Sequence, residues 1–321
     1  EGYESLRKNH KGSFPMTSKE LLYVKTIAEE KSISQAAKLL FIAQPSLSQA
    51  LSRIEDNLGT PLFTRTTGGL NLTYAGERYY QTACRILKIY ENLEGEISDI
   101  NGLRTGRIRM GITNHLGTVV LPKILPPFRR QCPFIELEIL EETTDKLENR
   151  LLSGQLDFAL MHAPKEDSHP LLNYEFLAND PFVIAMAPNH PLASQAEELE
   201  GYIHPVLDPR LLRNEPFIML HKGQRIRHIT DSILKKARIE PKIALTLRNY
   251  ETAQALVSQG LGVTFLPEDY TRIILGDNPP DFFSIHKKYD ASWDMCITSR
   301  KDSELSRADE FFLKVLKENL V

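Results

Sequence analysis

Apolar positions change period several times along the chain, and each change marks an element. From Leu21 to Ala28 the run LLYVKTIA repeats at helical spacing. A short second helix follows with Ala36, Ala37, Leu39 and Leu40, and Ser34 is placed to cap it. Its small alanines let another helix approach closely. After a brief turn at Phe41 to Ala43, Pro45 suits the first turn of a third helix, where a missing N–H costs nothing. At about 100° per residue, Leu47, Ala50, Leu51, Ile54 and Leu58 fall on one face of that helix. Pro45, Ser48, Gln49, Ser52, Arg53 and Asp56 fall on the other, and Gly59 ends it. Leu62-Phe63 and Leu70-Asn71-Leu72 then flank residues 64–69 as a strand–turn–strand unit, with Arg65 in the turn.

The next segment, Glu77 to Asn101, contains no proline, and Gly95 is its one glycine. Tyr79, Ile86, Leu93 and Ile100 repeat every seven residues, and Ala83, Tyr90 and Ile97 form a second series offset by four. That spacing predicts a coiled-coil seam; the alternative is an amphipathic helix docked on its own domain.

From Arg107 short β-rich runs alternate with helical ones. Strands are expected at Arg107–Thr113, Ile135–Glu141, Phe158–Met161, Pro181–Met186, Ile243–Leu247, Val263–Leu266, Phe282–Ile285 and Trp293–Thr298. Helices are expected at Val119–Arg130, Thr144–Ser153, Arg225–Ala237, Glu251–Gln259 and Ser303–Asn319. The alternation predicts mostly parallel α/β sheets in two subdomains separated by a cleft. The expected organisation is a leader or tag over 1–15, a helical domain with a wing over 16–76, a connecting helix over 77–104 and an α/β domain over 105–321. Within the last, 105–180 with 282–321 form one subdomain and 181–281 the other.

Composition narrows the classes. The chain has 321 residues, 41% hydrophobic and 25% charged, the profile of an ordinary soluble protein and too long for one core. No apolar run approaches the roughly 18 residues of a membrane span, and no secretory core follows Met16, so a cytoplasmic location without membrane partners is expected. Cys84, Cys132 and Cys296 lie far apart and form no CxxC pair, which predicts idle reduced thiols. Net charge is −3, which neither supports nor excludes nucleic acid, because phosphate contact is local.

The polar face of the third helix can enter a DNA major groove and meet base edges through Gln and Ser, with Arg65 on a wing reaching phosphate or minor groove. The block comprising Ser32, Ala36, Ala37, Leu39, Gln44 to Gln49, Leu51, Leu58, Gly59, Leu62, Phe63, Arg65, Leu72, Thr73, Ala75 and Gly76 resembles the N-terminal signature of LysR-type transcriptional regulators. The resemblance extends over 16–321 through Gly111, Pro122, Leu151, Gly154, Leu156, Asp157, Gly260-Leu261-Gly262 and Leu266-Pro267. It implies an N-terminal all-α winged helix-turn-helix, a long linker helix and a C-terminal two-subdomain α/β effector domain of the periplasmic-binding-protein type. It also implies promoter DNA as partner, a small-molecule effector, homodimers or homotetramers, and RNA polymerase at the regulated promoter. DNA contacts are expected at Gln44, Pro45, Ser46, Ser48, Gln49, Ser52, Arg53 and Arg65. Two departures stand out. Ala43 occupies a position where many relatives have a capping Ser or Thr, and Gln49 one where several have Arg. Gln favours adenine where Arg favours guanine.

In open α/β sheets ligands bind beyond the carboxyl ends of strands, where helix N-termini offer free N–H groups. That rule selects Thr113, Asn114, His115, Thr118, Thr144, His162, His221, Gln224 and Arg225 as effector contacts. Hydroxyls, helix N-termini and arginine suit a small organic anion. Each has a plainer alternative: Thr143 and Thr144 as helix caps, His162 as a core-edge residue, Arg227 paired with Asp231 one turn on. No nucleophile elbow, P-loop, HExxH or paired metal-ligand spacing appears, so neither an enzyme nor a bound cofactor or metal is expected. A solute-binding transport protein would share the sensor fold but needs a secretion signal and no DNA reader.

Overall fold

The computed structural model describes residues 16–66, 69–100, 106–163, 168–273 and 278–320, without the side chains of 96 and 98–100. Residues 1–15, read as a leader, lie outside them. Two compact units emerge: one takes in Glu1–Gly111, Ile124–Ala159 and Ser299–Asn319, the other Ile112–Lys123, Leu160–Thr298 and Leu320–Val321.

The first unit opens with α1 (Ser18–Glu30), α2 (Ile33–Leu39) and α3 (Gln44–Leu58). A capping box starts α1: the Thr17 hydroxyl accepts from Glu20 N and the Glu20 carboxylate from Thr17 N. The cap of α2 is Ser32, not Ser34, because the helix begins at Ile33 and the Ser32 hydroxyl accepts from Gln35 N. Helix α3 buries Leu47, Ala50, Leu51 and Ile54 as its periodicity predicts. Leu58, expected on that face, is 41% exposed, because it sits in the last turn, where Gly59 takes the left-handed conformation. Strands β1 (Phe63–Thr66) and β2 (Gly69–Leu72) pair antiparallel, Phe63 opposite Leu72 and Thr66 opposite Gly69. The residues expected in the turn are therefore largely strand, since the ladder runs out to Thr66 and Gly69.

Helix α4 (Tyr74–Ile100) leads out of this domain and into the α/β part. Its first turns are core: Tyr79 and Ala83 are buried with Leu21, Val24, Ile27, Leu47, Leu51 and Ile54, and Ile86 packs on that cluster. The first unit also holds β4 (Ile135–Glu141), β3 (Gly106–Ile112) up to Gly111 and the first two residues of β5 (Phe158–His162), with β3 between the other two strands. Helices α6 (Thr144–Leu152), the later turns of α5 (Asn114–Gln131) and α9 (Arg307–Leu320) belong with it. Phe312 of α9 packs edge-on to Phe128 at 4.9 Å and beside Phe158 at 5.8 Å.

The second unit is built around β6 (Leu172–Met186), which buries every residue from Phe182 to Met186. Strands β9 (Thr264–Pro267) and β10 (Asp281–Ser284) pair with it antiparallel, and β11 (Ser292–Arg300) also neighbours it. The expected parallel arrangement holds for β7 (Pro216–Leu220) and β8 (Lys242–Leu247). It fails around β6, where the chain returns alongside in the opposite sense. For the same reason β10, expected to rejoin the first subdomain, pairs with residues Val183–Met186. Helices α7 (Arg225–Ala237) and α8 (Tyr250–Ser258) cover this core with Ile226, Ile233, Leu234, Ala253 and Val257.

Candidate functional site

Two sites arise, one in each unit. In the first, α3 turns Gln44, Pro45, Ser46, Gln49, Ser52 and Arg53 to solvent, with Ser48 half-buried. Ala43 precedes α3 without any side-chain cap. Arg53 makes only a 3.5 Å contact with Glu20 and is two-thirds exposed, a pairing worth little. Arg65 is exposed on β1 opposite Leu70. The wing is tied to the helix by Glu55, whose Oε1 accepts from Leu62 N at 2.6 Å and Phe63 N at 3.2 Å. Glu55 escaped the sequence reading because nothing in its spacing announces a backbone acceptor. Short polar side chains on an exposed helix beside a cationic wing can meet base edges and phosphates.

Beyond the domain core, α4 changes character. Tyr90, Leu93 and Ile97 are each 52% exposed and Ile89 more so. The predicted seam therefore divides: Tyr79, Ala83 and Ile86 serve their own domain, and the later positions face solvent. The Ile100 side chain lies outside the described residues. The α4 segment also carries Lys88, whose Nζ lies 2.9 Å from Asp157 Oδ1 and 3.5 Å from Asp309 Oδ2. A 570 Å³ cavity lies along this stretch, lined by Cys84, Lys88, Leu151, Asp157, Arg300 and Asp302 among others. Two of its charged pairs are already matched, Lys88 with Asp157 and Arg300 with Asp302 at 2.5 Å.

The second unit gathers a different set. His115 follows the first residue of α5 and His162 ends β5; Asp180 lies in β6 just before its apolar run, and Trp293 is the second residue of β11. His162 Nε2 is 3.2 Å from Asp180 Oδ2, the Trp293 indole N–H donates to the same oxygen at 2.7 Å, and His115 Nε2 stands 3.7 Å from it. The His162 ring stacks on Trp293 at 3.7 Å and His115 on Tyr270 at 4.4 Å, with Tyr250 stacked 4.7 Å from Tyr270. His115 is only 5% exposed, yet neither ring nitrogen makes a hydrogen bond, and the buried Thr113 hydroxyl makes none either. Buried polar atoms left this way cost about 1–3 kcal/mol each.

Electrostatics follow from burial. Burial drives His162 down to about 4, against the opposing pull of Asp180, so its imidazole is neutral at pH 7. Burial works to raise Asp180, but the facing imidazoles and the Trp293 N–H outweigh it and hold the carboxylate at about 2. The unfolded chain protonates its histidine near 6.5 while the folded one resists to about 4, so His162 removes stability as pH falls through that window. Denaturant unfolding at pH 7 and pH 5 should show the wild type losing about 2 kcal/mol more than His162→Gln. Equal losses would place the proton elsewhere.

The remaining predicted contacts divide. Asn114 and Thr118 are exposed, and the Thr118 hydroxyl donates to Asn114 O. His221 is exposed; Gln224 accepts from its N–H and donates to Arg248 O, so this amide shapes the loop. Arg225 is half-buried and donates to His162 O at 2.8 Å. Arg227 pairs with Asp231, as its plainer alternative had it. Thr144 is buried at the start of α6 in the first unit, and Thr143 precedes it without a side-chain cap. Asp180, Trp293, Tyr250 and Tyr270 were missed. All three cysteines are buried and outside any disulfide, and burial raises the Cys84 and Cys296 thiols, the opposite of a reactive thiolate. No helix among the described residues is long and apolar enough to cross a membrane.

Comparison with known proteins adds the following. The family model "Bacterial regulatory helix-turn-helix protein, lysR family" matches residues 18–77, and "LysR substrate binding domain" matches 101–321. A probable RuBisCO transcriptional regulator of Trieres chinensis is 30% identical over 258 residues, covering 79% of this chain and 81% of the relative. The uncharacterized HTH-type transcriptional regulator YcgK of Bacillus subtilis is 28% identical over 315 residues, 95% of each chain. A full-length OxyR variant from Pseudomonas aeruginosa superposes with a TM-score of 0.73 at 24% identity, over 95% of this chain and 94% of the other. That last likeness concerns the fold.

Proposed function

The chain belongs to the LysR family of transcriptional regulators, and on that premise we propose that it reads promoter DNA as a dimer under control of a small molecule bound in its second unit. The observation that carries the reading is the exposed polar edge of α3, Gln44 to Arg53, beside Arg65 on the wing. Gln49 and Ser52 meet base edges, Gln44, Pro45, Ser46 and Ser48 fit the helix start against the groove, and Arg53 and Arg65 take phosphate. The domain limits proposed are 16–76 for the reader, 77–104 for the linker helix and 105–321 for the effector domain.

Dimerisation is assigned to the exposed later turns of α4, at Tyr90, Leu93 and Ile97. Paired readers then meet half-sites about 34 Å apart or a multiple of that. RNA polymerase at the same promoter is the proposed recipient of the regulatory signal. The effector site is assigned to Thr113 and His115, whose side-chain polar atoms no hydrogen bond uses, with His162 and Arg225 beside them. A small organic anion is the proposed class. An effector that favours one arrangement of the protein over another shifts that population and so the grip on DNA.

The reading is tested on DNA. Arg65→Ala should weaken binding similarly on all sequences and reduce the salt slope by about one. Gln49→Ala should cost about 1–3 kcal/mol on the specific site and little on unrelated DNA. An equal effect of Gln49→Ala on specific and random DNA would remove α3 from base recognition. A thermal-shift screen of organic acids, repeated on Thr113→Ala and Arg225→Ala, tests the effector class; no stabilisation by any acid argues for another.

A further inference from the structure

We infer that His115, His162 and Asp180 form a binding site for a divalent transition-metal ion. The inference rests on the reading of this buried cluster as the effector site, and it adds the ligand chemistry. One ligand atom from each residue lies within 4.8 Å of the others. With metal–ligand bonds of about 2.1 Å, the edge of a tetrahedral site is about 3.4 Å. The two separations from Asp180 Oδ2, 3.2 Å to His162 Nε2 and 3.7 Å to His115 Nε2, bracket that edge.

The donor set and its setting agree. Two imidazoles and one carboxylate suit zinc, cobalt, nickel or iron rather than magnesium or calcium. His115 is buried with both nitrogens lacking a hydrogen bond, and a coordinated ion would take up the one at Nε2. Asp180 receives the Trp293 N–H at 2.7 Å, the kind of outer donor that orients a ligating carboxylate. Three protein ligands leave a coordination position open. The ion also resolves an electrostatic conflict: a buried Asp180 carboxylate repels an anionic effector, whereas a bound dication inverts the local charge and attracts one. On binding, the neutral His162 imidazole changes tautomer, its proton passing from Nε2 to Nδ1 through solvent, so that the Nε2 lone pair is free for the metal.

Trp293 is the chain's one tryptophan and stacks on His162 at 3.7 Å, so its fluorescence reports on this site alone. Full-length protein stripped with chelator is titrated with Co²⁺ by Trp293 emission and ligand-field absorption, and with Zn²⁺ by calorimetry. The expected result is one ion per chain, quenched emission, and at least tenfold weaker binding in His115→Gln, His162→Gln and Asp180→Asn. The exposed-residue variant His228→Ala should bind as the wild type does. If the three variants fail to fold, the wild-type titration decides: absent quenching or absent ligand-field bands overturns the site, as does binding unchanged in the folded variants. Retardation of promoter DNA by the same preparation separates the two readings. Selective DNA binding without metal uptake overturns the metal site alone, and metal uptake without selective DNA binding overturns the regulator reading alone.

Discussion

Replacing Gly76 with alanine is expected to destabilise the DNA-reading domain by about 3 kcal/mol and to abolish tight DNA binding. Gly76 lies in the first turn of α4, where that helix crosses the chain entering the wing. A Cβ there would stand 2.0 Å from the Leu62 carbonyl oxygen and 2.9 Å from its carbon. That carbonyl has no room to yield. It accepts from Thr73 N at 2.9 Å, its own N–H is held by Glu55, and the Leu62 side chain is buried. Alanine gains about 1 kcal/mol of helix propensity over glycine, well short of the collision's cost. Hydrogen exchange should show faster opening of residues 18–66 in the variant, with the domain's melting point about 12–24 °C lower. An unchanged exchange pattern would mean that the helix and wing need not approach so closely.

Lys88→Met should cost about 3–5 kcal/mol, because it strands two buried carboxylates. The side chains of Lys88, Asp157 and Asp309 are 12%, 4% and 0% exposed. Asp309 is already pushed up to about 6, first by burial and then by the Asp157 charge, with Lys88 and the Ser306 hydrogen bonds pulling it back. An acid whose folded pKa is raised loses stability as pH climbs from its unfolded value through its folded one. In wild type that window runs from about 4 to about 6; without Lys88 it extends upward. The variant's deficit should therefore be larger at pH 8 than at pH 5, and Lys88→Met/Asp309→Asn should recover part of it. A deficit independent of pH would show that Lys88 stabilises by packing its stem alone. Asp157 also accepts from Arg109 N at 2.8 Å, so the triad fastens α4 to β3.

The reader was legible because its signals are local. Period, the Pro45 and Gly59 punctuation, and small residues at contact points all act within one helical turn. The position of Gly76 was readable but its reason was not, since the colliding carbonyl belongs to a different element. The heptads of α4 were legible as a pattern, yet the pattern alone could not say that Tyr79 and Ala83 face inward and Tyr90 and Leu93 outward. Both faces reward the same apolar spacing. Strand β7 was missed because PFIML is a short, continuously buried run opened by proline, without the alternation that marks a strand. In the buried cluster of the second unit, the strand-end rule found His115 and His162. Asp180 and Trp293, 113 residues apart, meet only through the pairing of β6 with β11, which no local spacing encodes.

The most direct test is a competition retardation assay of the full-length protein on DNA from upstream of its own gene, across a range of salt. A sequence-selective reader predicts retention on one segment against a large excess of unrelated DNA, steep salt dependence, and loss of preference in Gln49→Ala. Binding that shows no sequence preference at any salt, or a preference that survives removal of the α3 side chains, would contradict it.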